Sequence, residues 1–408
     1  MKTLHLDINA PEFVADPYPR LAELRESTPV FFDPVWNKLF FTRYHDIAAL
    51  LRDKHLGRSI LHRLSRDELG WPPPNPLTKD FDQFQSHHML DNEPPKHTRL
   101  KSLVMKAFTP ARVEGLRGKI ESIVNRMLDQ AEDRGKMDLL QDYAEPLPVA
   151  VIAELLGVPE EDQHLLRPWS SSIVKLYELG YSDQQAVQAN QAVVEFSDYI
   201  KALADERRKN PQDDLITALV QVEEQGEMLT EDELVANCIL LLNAGHEATV
   251  NGTTAGFLSL SRNPDPMNLA KQAAREGNQD FFKAAVEEML RYDTPLPMFE
   301  RWVLEDFEYQ GIPLKQGQEV ALLYASGNRD PRKFENANSL DLTRKDNQHL
   351  TFGLGIHYCI GAPLARLEMQ TSFATLLRRF PDVRLATDKV EYAGGFVIRG
   401  HKAMPVEF

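Results

Sequence analysis

The sequence predicts a mainly α-helical chain with a minor β portion, and three observations carry that prediction. Apolar residues recur at three- and four-residue spacing over most of the 408 residues. One stretch keeps this pattern for about thirty residues, long enough for a helix of roughly 45 Å. Strand-like runs are few and short and come from both ends of the chain, which argues against separable α and β parts, so residues 1–408 read as one domain.

Taken in order, the first strand signal is Val30 to Phe41. The stretch from Ser59 to Pro95 shows little periodicity and holds four prolines between Gly70 and Pro76, which predicts a long functional loop suited to a substrate lid. Helical spacing follows in Ile120 to Leu128, Gln185 to Leu203 and Leu215 to Val222. Thr230 and Glu233 form a capping box that opens the long helix, and Asn263 with Pro264 stops it. Phe281 to Leu290 is again helical, then Trp302 to Tyr309 and Glu319 to Tyr324 read as strands. A helical run of Leu364, Leu367, Phe373 and Leu376 precedes a last strand at Phe396 to Ile398. No internal repeat or low-complexity tract is seen, which disfavours a solenoid.

The balance of 46 Lys plus Arg against 61 Asp plus Glu gives −15, which disfavours nucleic acid as a partner. Cys238 and Cys359 are too few for a disulfide framework, and no secretory leader opens the chain, so a cytoplasmic protein is expected. The most apolar stretch, Ile239 to Leu260, is interrupted by Asn243, His246, Glu247 and Asn251. It reads as a buried functional helix rather than a membrane span, and a soluble protein without membrane anchor is expected.

The chemistry concentrates at Phe352-Gly-Leu-Gly-Ile-His-Tyr-Cys-Ile-Gly361, just before the Ala362-Pro363 helix start. Glycines let the backbone turn tightly and approach a bulky planar ligand, while the helix N-terminus and nearby N–H groups favour a thiolate. By itself Cys359 is more simply a small buried residue in a glycine-rich turn. A nucleotide-binding turn is excluded because Tyr358 stands where a third glycine is needed.

These ten residues match Phe-x-x-Gly-x-His-x-Cys-x-Gly, and the chain resembles the cytochrome P450 family. The resemblance implies a triangular, mainly helical fold enclosing one haem b, with Cys359 as the proximal iron ligand. It further implies that Phe352 packs on the cysteine side of the haem, that His357 bonds a propionate, and that Gly353 and Gly361 give the loop its close approach. Ala244-Gly-His-Glu-Ala-Thr249 resembles the family's oxygen-binding segment. Ala244 and Gly245 leave room for a diatomic ligand, Thr249 is expected to bond a carbonyl one turn back and open the helix, and Glu247 to relay protons through water. His246 is expected to make only local hydrogen bonds.

Glu288 and Arg291 match the family's Glu-x-x-Arg, which implies that they tie their helix to the loop before the cysteine. Arg301 falls where a propionate-binding arginine is expected, guanidinium suiting a carboxylate. His97 opens the family's His-x-x-x-Arg, but Lys101 replaces the arginine and lacks its fork; Arg99 is either a nearby substitute or solvent-exposed.

Between Lys96 and Lys119 seven basic residues face one acid, Glu114, inverting the chain's overall sign. With the resemblance this implies a docking region for an acidic ferredoxin near Lys96, Lys106 and Arg112, fed by an NAD(P)H-ferredoxin reductase. The activity implied is monooxygenation of a small or medium hydrophobic substrate of the terpenoid, steroid, fatty acid or polyketide class. Its pocket would draw on Leu241, Ala244, Leu296, Met298, Phe299 and Val397. The rivals are a peroxide-driven enzyme and a haem sensor or carrier without turnover.

Overall fold

The computed structural model describes residues 2–177, 181–223 and 226–408. The chain forms two compact units: one of residues 1–60, 120–145 and 247–408, the other of residues 61–119 and 146–246.

The first unit carries a six-stranded sheet. Its strands are β1 (Lys2–Thr3), β2 (Val30–Asp33), β3 (Lys38–Phe41), β4 (Leu56–Gly57), β5 (Phe299–Val303) and β6 (Glu319–Leu322), in the order β1-β2-β3-β6-β5-β4. Strand alternation sorts the side chains onto two faces. Phe31, Phe40 and Ala321 go to one core cluster with Leu6, Phe13 and Phe396, and Leu39, Phe41, Val320 and Leu322 go to another with Tyr44, Ile47 and Leu350. Phe31 and Phe40 are register partners whose rings stack at 5.1 Å.

The expected loop from Ser59 to Pro95 contains a helix, α1 (Lys79–His87). Its apolar signal is only Phe81 and Phe84, one helical step apart and both buried, too brief to register as periodicity. What fixes it is distant in sequence: Asn190 Oδ1 accepts from the backbone N–H groups of Asp80 and Phe81 at 2.8 and 3.1 Å, and its Nδ2 donates to Asp80 Oδ2 at 2.8 Å. A second helix, α2 (Lys96–Ala107), follows in the same unit.

The long helix is α3 (Glu231–Ser261), 31 residues of unbroken α-helix. The capping box forms as read: Glu233 N–H donates to Thr230 Oγ1 at 3.2 Å and Thr230 N–H to Glu233 Oε2 at 3.0 Å. Two glycines one turn apart set the approach of α4 (Gln279–Tyr292) and α5 (Ala362–Arg379) to its second half. A Cβ at Gly252 would lie 3.4 Å from Leu290 Cδ2 and Met369 Sδ, and at Gly256 only 2.9 Å from Phe373 Cζ and 3.2 Å from Met289 Sδ. The strand expected at Phe396 to Ile398 is a bend between the short strands Tyr392–Ala393 and Gly400–His401. Gly394, at φ +72°, starts the turn there. Among the described residues, no helix is long and apolar enough to cross a membrane.

Candidate active site

The cysteine turn is built by its own backbone. Gly353 N–H bonds Leu350 O at 2.7 Å, Tyr358 N–H bonds Gly355 O at 3.1 Å, and Cys359 N–H returns to Phe352 O at 3.0 Å. Gly355 sits at φ +74°, and a Cβ there would meet Leu51 O at 2.4 Å, so both the conformation and the contact require glycine. Helix α5 starts three residues after Cys359, with Pro363 in its first turn. Cys359 is exposed, with the apolar Ile356 beside it also exposed. Cys238 is fully buried, and burial pushes its thiol up to about 12. Of the two thiols, only Cys359 is placed to ligate a metal.

The segment before the turn is held by a buried network. Arg291 gives a two-pronged bond to Glu288, 2.7 Å on each side, and its remaining donors reach Asn328 O, Ala337 O and Ser339 O at 2.8, 2.8 and 3.0 Å. Glu288 also accepts from Arg344 Nε, Asn347 Nδ2 and Asp341 N–H at 3.0, 3.0 and 2.9 Å. Asn328 carries the connection on, its Oδ1 accepting from Leu350 N–H at 2.7 Å and its Nδ2 donating to Thr351 Oγ1 at 3.1 Å. Arg344, Asn347 and the linking role of Asn328 were not visible in the sequence, because they come together through loops without periodicity.

A second ionic group lies on the turn itself. Arg366 forks onto Glu287 at 2.6 and 2.8 Å, and His349 Nε2 lies 3.2 Å from the same carboxylate. Burial would raise the Glu287 pKa, but the bonds from His349 and Arg366 outweigh it and hold the carboxyl at about 2.

Arg301 lies buried on β5, its Nη1 donating to Glu300 O at 2.8 Å and its guanidinium 5.7 Å from the Phe299 ring centroid. A second guanidinium, Arg58, which the sequence reading passed over, sits 4.9 Å from the same ring. Phe299 stacks on Tyr324, whose hydroxyl would be 3.7 Å from a Cβ at Gly353. Burial raises the Tyr324 pKa, and the two arginines offset part of that rise. Two cations are thus brought beside the glycines of the cysteine turn, a donor set suited to paired carboxylates. His357, in the turn, is partly buried.

On α2, His97 is buried and Lys101, one turn on, partly so. Arg99, 28 % exposed, pairs with Glu233 at the start of α3 and with Glu227 at 3.4 Å. Much of the basic run is likewise neutralised by acids remote in sequence. Arg112 meets Asp213 at 3.6 Å and Lys119 meets Glu154 at 2.9 Å, while Arg117 takes the expected Glu114 at 2.5 Å. Lys96 and Lys106 donate to the carbonyls of Ser86 and Glu223 at 2.5 and 3.3 Å.

In the middle of α3, Ala244 is exposed amid a helix that is otherwise mostly buried, and Gly245, Glu247 and Ala248 are partly exposed. A Cβ at Gly245 would touch Ile152 Cδ1 at 3.4 Å. At about 100° per residue, Glu247 and Ala248 share the open stripe with Ala244, whereas Thr249 lies about 140° away. Thr249 is 5 % exposed. The carbonyl bond expected of Thr249 is made instead by Thr254, to Val250 O at 3.1 Å, and the helix stays closed at Thr249. His246 Nδ1 lies 3.5 Å from Ser170 Oγ, a partner remote in sequence rather than the local one expected. Of the expected pocket residues, Met298, just before β5, is a correction: at 2 % exposure it packs with Leu6, Phe13 and Phe396 in the core. Leu241 is buried, Leu296 partly buried, and Val397 is 40 % exposed.

The cytochrome P450 family model matches residues 48–389. The chain belongs to the cytochrome P450 family. This P450 is 39 % identical over its whole length to the polyketide biosynthesis cytochrome P450 PksS of Bacillus subtilis (strain 168), covering 99 % of that protein. It is 35 % identical to a vitamin D(3) 25-hydroxylase of Pseudonocardia autotrophica, over 98 % of this chain and 96 % of that one. The solved structure of P450BioI, in complex with an acyl carrier protein ligated to hexadec-9Z-enoic acid, superposes at TM-score 0.87 with 35 % identity, over 98 % of this chain and 100 % of that one. The protein is therefore a P450 monooxygenase, an oxidoreductase of the haem-thiolate class, and its fold is the P450 fold.

Proposed function

We propose that this P450 inserts one oxygen atom from O2 into a small or medium hydrophobic substrate, acyl and polyketide chains foremost, using haem b ligated by Cys359. The observation that carries this is the exposed Cys359 thiol on a glycine turn at the start of α5. When bound, haem supplies dioxygen activation, and electron donation from a thiolate favours O–O cleavage. Arg301, His357, His97 and Lys101 would hold the haem carboxylates, Phe352 would pack on the cysteine side, and Gly353 and Gly361 would permit the close approach. Ala244 and Gly245 leave space on α3.

Glu247, on the open stripe, holds and passes the proton through water. Thr249, buried off that stripe, assists less directly, so its loss costs less than that of Glu247. Leu241, Leu296, Phe299 and Val397 contribute the apolar lining. The substrate class rests on relatives whose names speak of polyketide biosynthesis and of an acyl chain on a carrier protein.

Electrons come from a ferredoxin and its NAD(P)H-dependent reductase in the cytoplasm, docking near Lys96, Lys106 and Arg112. The two units work as one catalytic domain, since the chain passes between them after residues 60, 119, 145 and 246. The test is product formation from free and carrier-bound dodecanoyl and polyketide chains with ferredoxin, reductase and NAD(P)H. Coupled reductant consumption and hydroxylated product support the reading. Turnover with hydrogen peroxide alone would point to the peroxide-driven alternative, and binding without turnover to a carrier.

A further inference from the structure

We propose that Arg366 is a positioning residue that grips the Cys359 turn at both ends, with Glu287 as its anchor; this rests on the reading of Cys359 as the iron ligand. Arg366 stands about one turn into α5, and its side chain reaches back over the cysteine turn. Nε and Nη2 fork onto the two oxygens of Glu287 at 2.6 and 2.8 Å, which fixes the plane of the guanidinium. In that plane Nη1 donates to the Tyr358 hydroxyl at 3.1 Å, on the residue next to Cys359. The face of the same group covers the Phe352 ring at 4.4 Å. Phe352 O accepts the Cys359 N–H at 3.0 Å, so a shift of Phe352 is passed directly to the backbone of the cysteine.

His349 completes the grip. Its Nδ1 accepts from Thr351 N–H at 3.2 Å, which places the ring proton on Nε2 and makes Nε2 the donor to Glu287. Its ring lies 5.7 Å from that of Phe352. Arg366 and Glu287 are 28 % and 22 % exposed, so solvent screens the pair only in part. What it supplies is a direction: a lysine at 366 would keep the charge but could not fork onto Glu287, reach Tyr358 and cover Phe352 together.

The experiment uses the haem-loaded protein and its Arg366→Lys, Glu287→Gln and Tyr358→Phe variants. The rate at which the reduced carbon monoxide complex loses its long-wavelength thiolate band is measured at a fixed interval below each variant's own Tm. Arg366→Lys and Glu287→Gln should speed that loss about tenfold at this matched interval, and their double variant should be no faster than the faster single, as expected of residues acting as one unit. Tyr358→Phe, which deletes one hydroxyl, should act in the same direction by less. A wild type with the thiolate band whose variants lose it no faster would overturn the proposal alone. A wild type without that band would overturn the reading beneath it as well.

Discussion

Glu247 and Glu368 show how one residue type takes opposite tasks from its surroundings. Glu247 is partly exposed on the open stripe of α3, where a carboxylate can exchange protons with water. Replacing it by Gln should lower kcat about 100-fold, within the range for a lost proton-transfer group, while substrate affinity measured by spectral titration stays the same. Thr249→Ala should cost several-fold less; an equal or larger loss would contradict the placement of Thr249 off that stripe. Glu368, on α5, is fully buried, and burial alone pushes its pKa up to about 8. The folded protein then holds a proton that the unfolded chain releases above about pH 4.5, so this group makes stability fall as pH rises from there to about 8. Glu368→Gln should therefore raise Tm more at pH 7.5 than at pH 5, read by calorimetry at both. The motifs that hold Cys359, Glu247, Glu288 and Arg291 were legible in the sequence because their spacing is local. Arg58, Arg344 and Glu287 were not, since each gains its meaning only from a partner far along the chain.

At the level of elements, α3 was readable end to end, because its capping box and its stop are both written in neighbouring residues. Its close packing was not. Gly252 and Gly256 look like helix-weakening residues until α4 and α5 are seen to press on them. Gly256→Val should lower stability by about 1–3 kcal/mol through overpacking, measured by denaturant titration, and should also reduce haem retention. A neutral result would mean that Phe373 and Met289 give way freely. Arg291→Leu leaves Glu288 buried with only its remaining partners; losing one member of such a buried pair costs about 3–5 kcal/mol, and the variant should accumulate little haem-loaded protein. Helix α1 was missed for the converse reason: two phenylalanines carry its apolar face, and its N-terminal N–H groups are satisfied by Asn190 rather than by a local cap. Met298 was misassigned because an apolar residue beside a strand reads alike whether it lines a pocket or fills the core.

At the scale of the whole molecule, the net charge of −15 and the neutralised basic run set the terms for an electron donor. Lys96 and Lys106, which donate to the carbonyls of Ser86 and Glu223, belong to the region proposed to steer the donor. Their joint replacement by Glu should slow reduction by a ferredoxin at low salt, lessen the salt dependence and leave dithionite reduction unchanged. Unaltered ferredoxin kinetics would move the docking site elsewhere.

The proposed reaction depends on a thiolate at residue 359. The most direct test is the absorption spectrum of the dithionite-reduced protein under carbon monoxide, taken for wild type and Cys359→Ala at matched haem content. The account predicts a strongly red-shifted Soret band in wild type that the substitution abolishes. A histidine-type band in freshly purified wild type, or a red-shifted band that survives in Cys359→Ala, would contradict it.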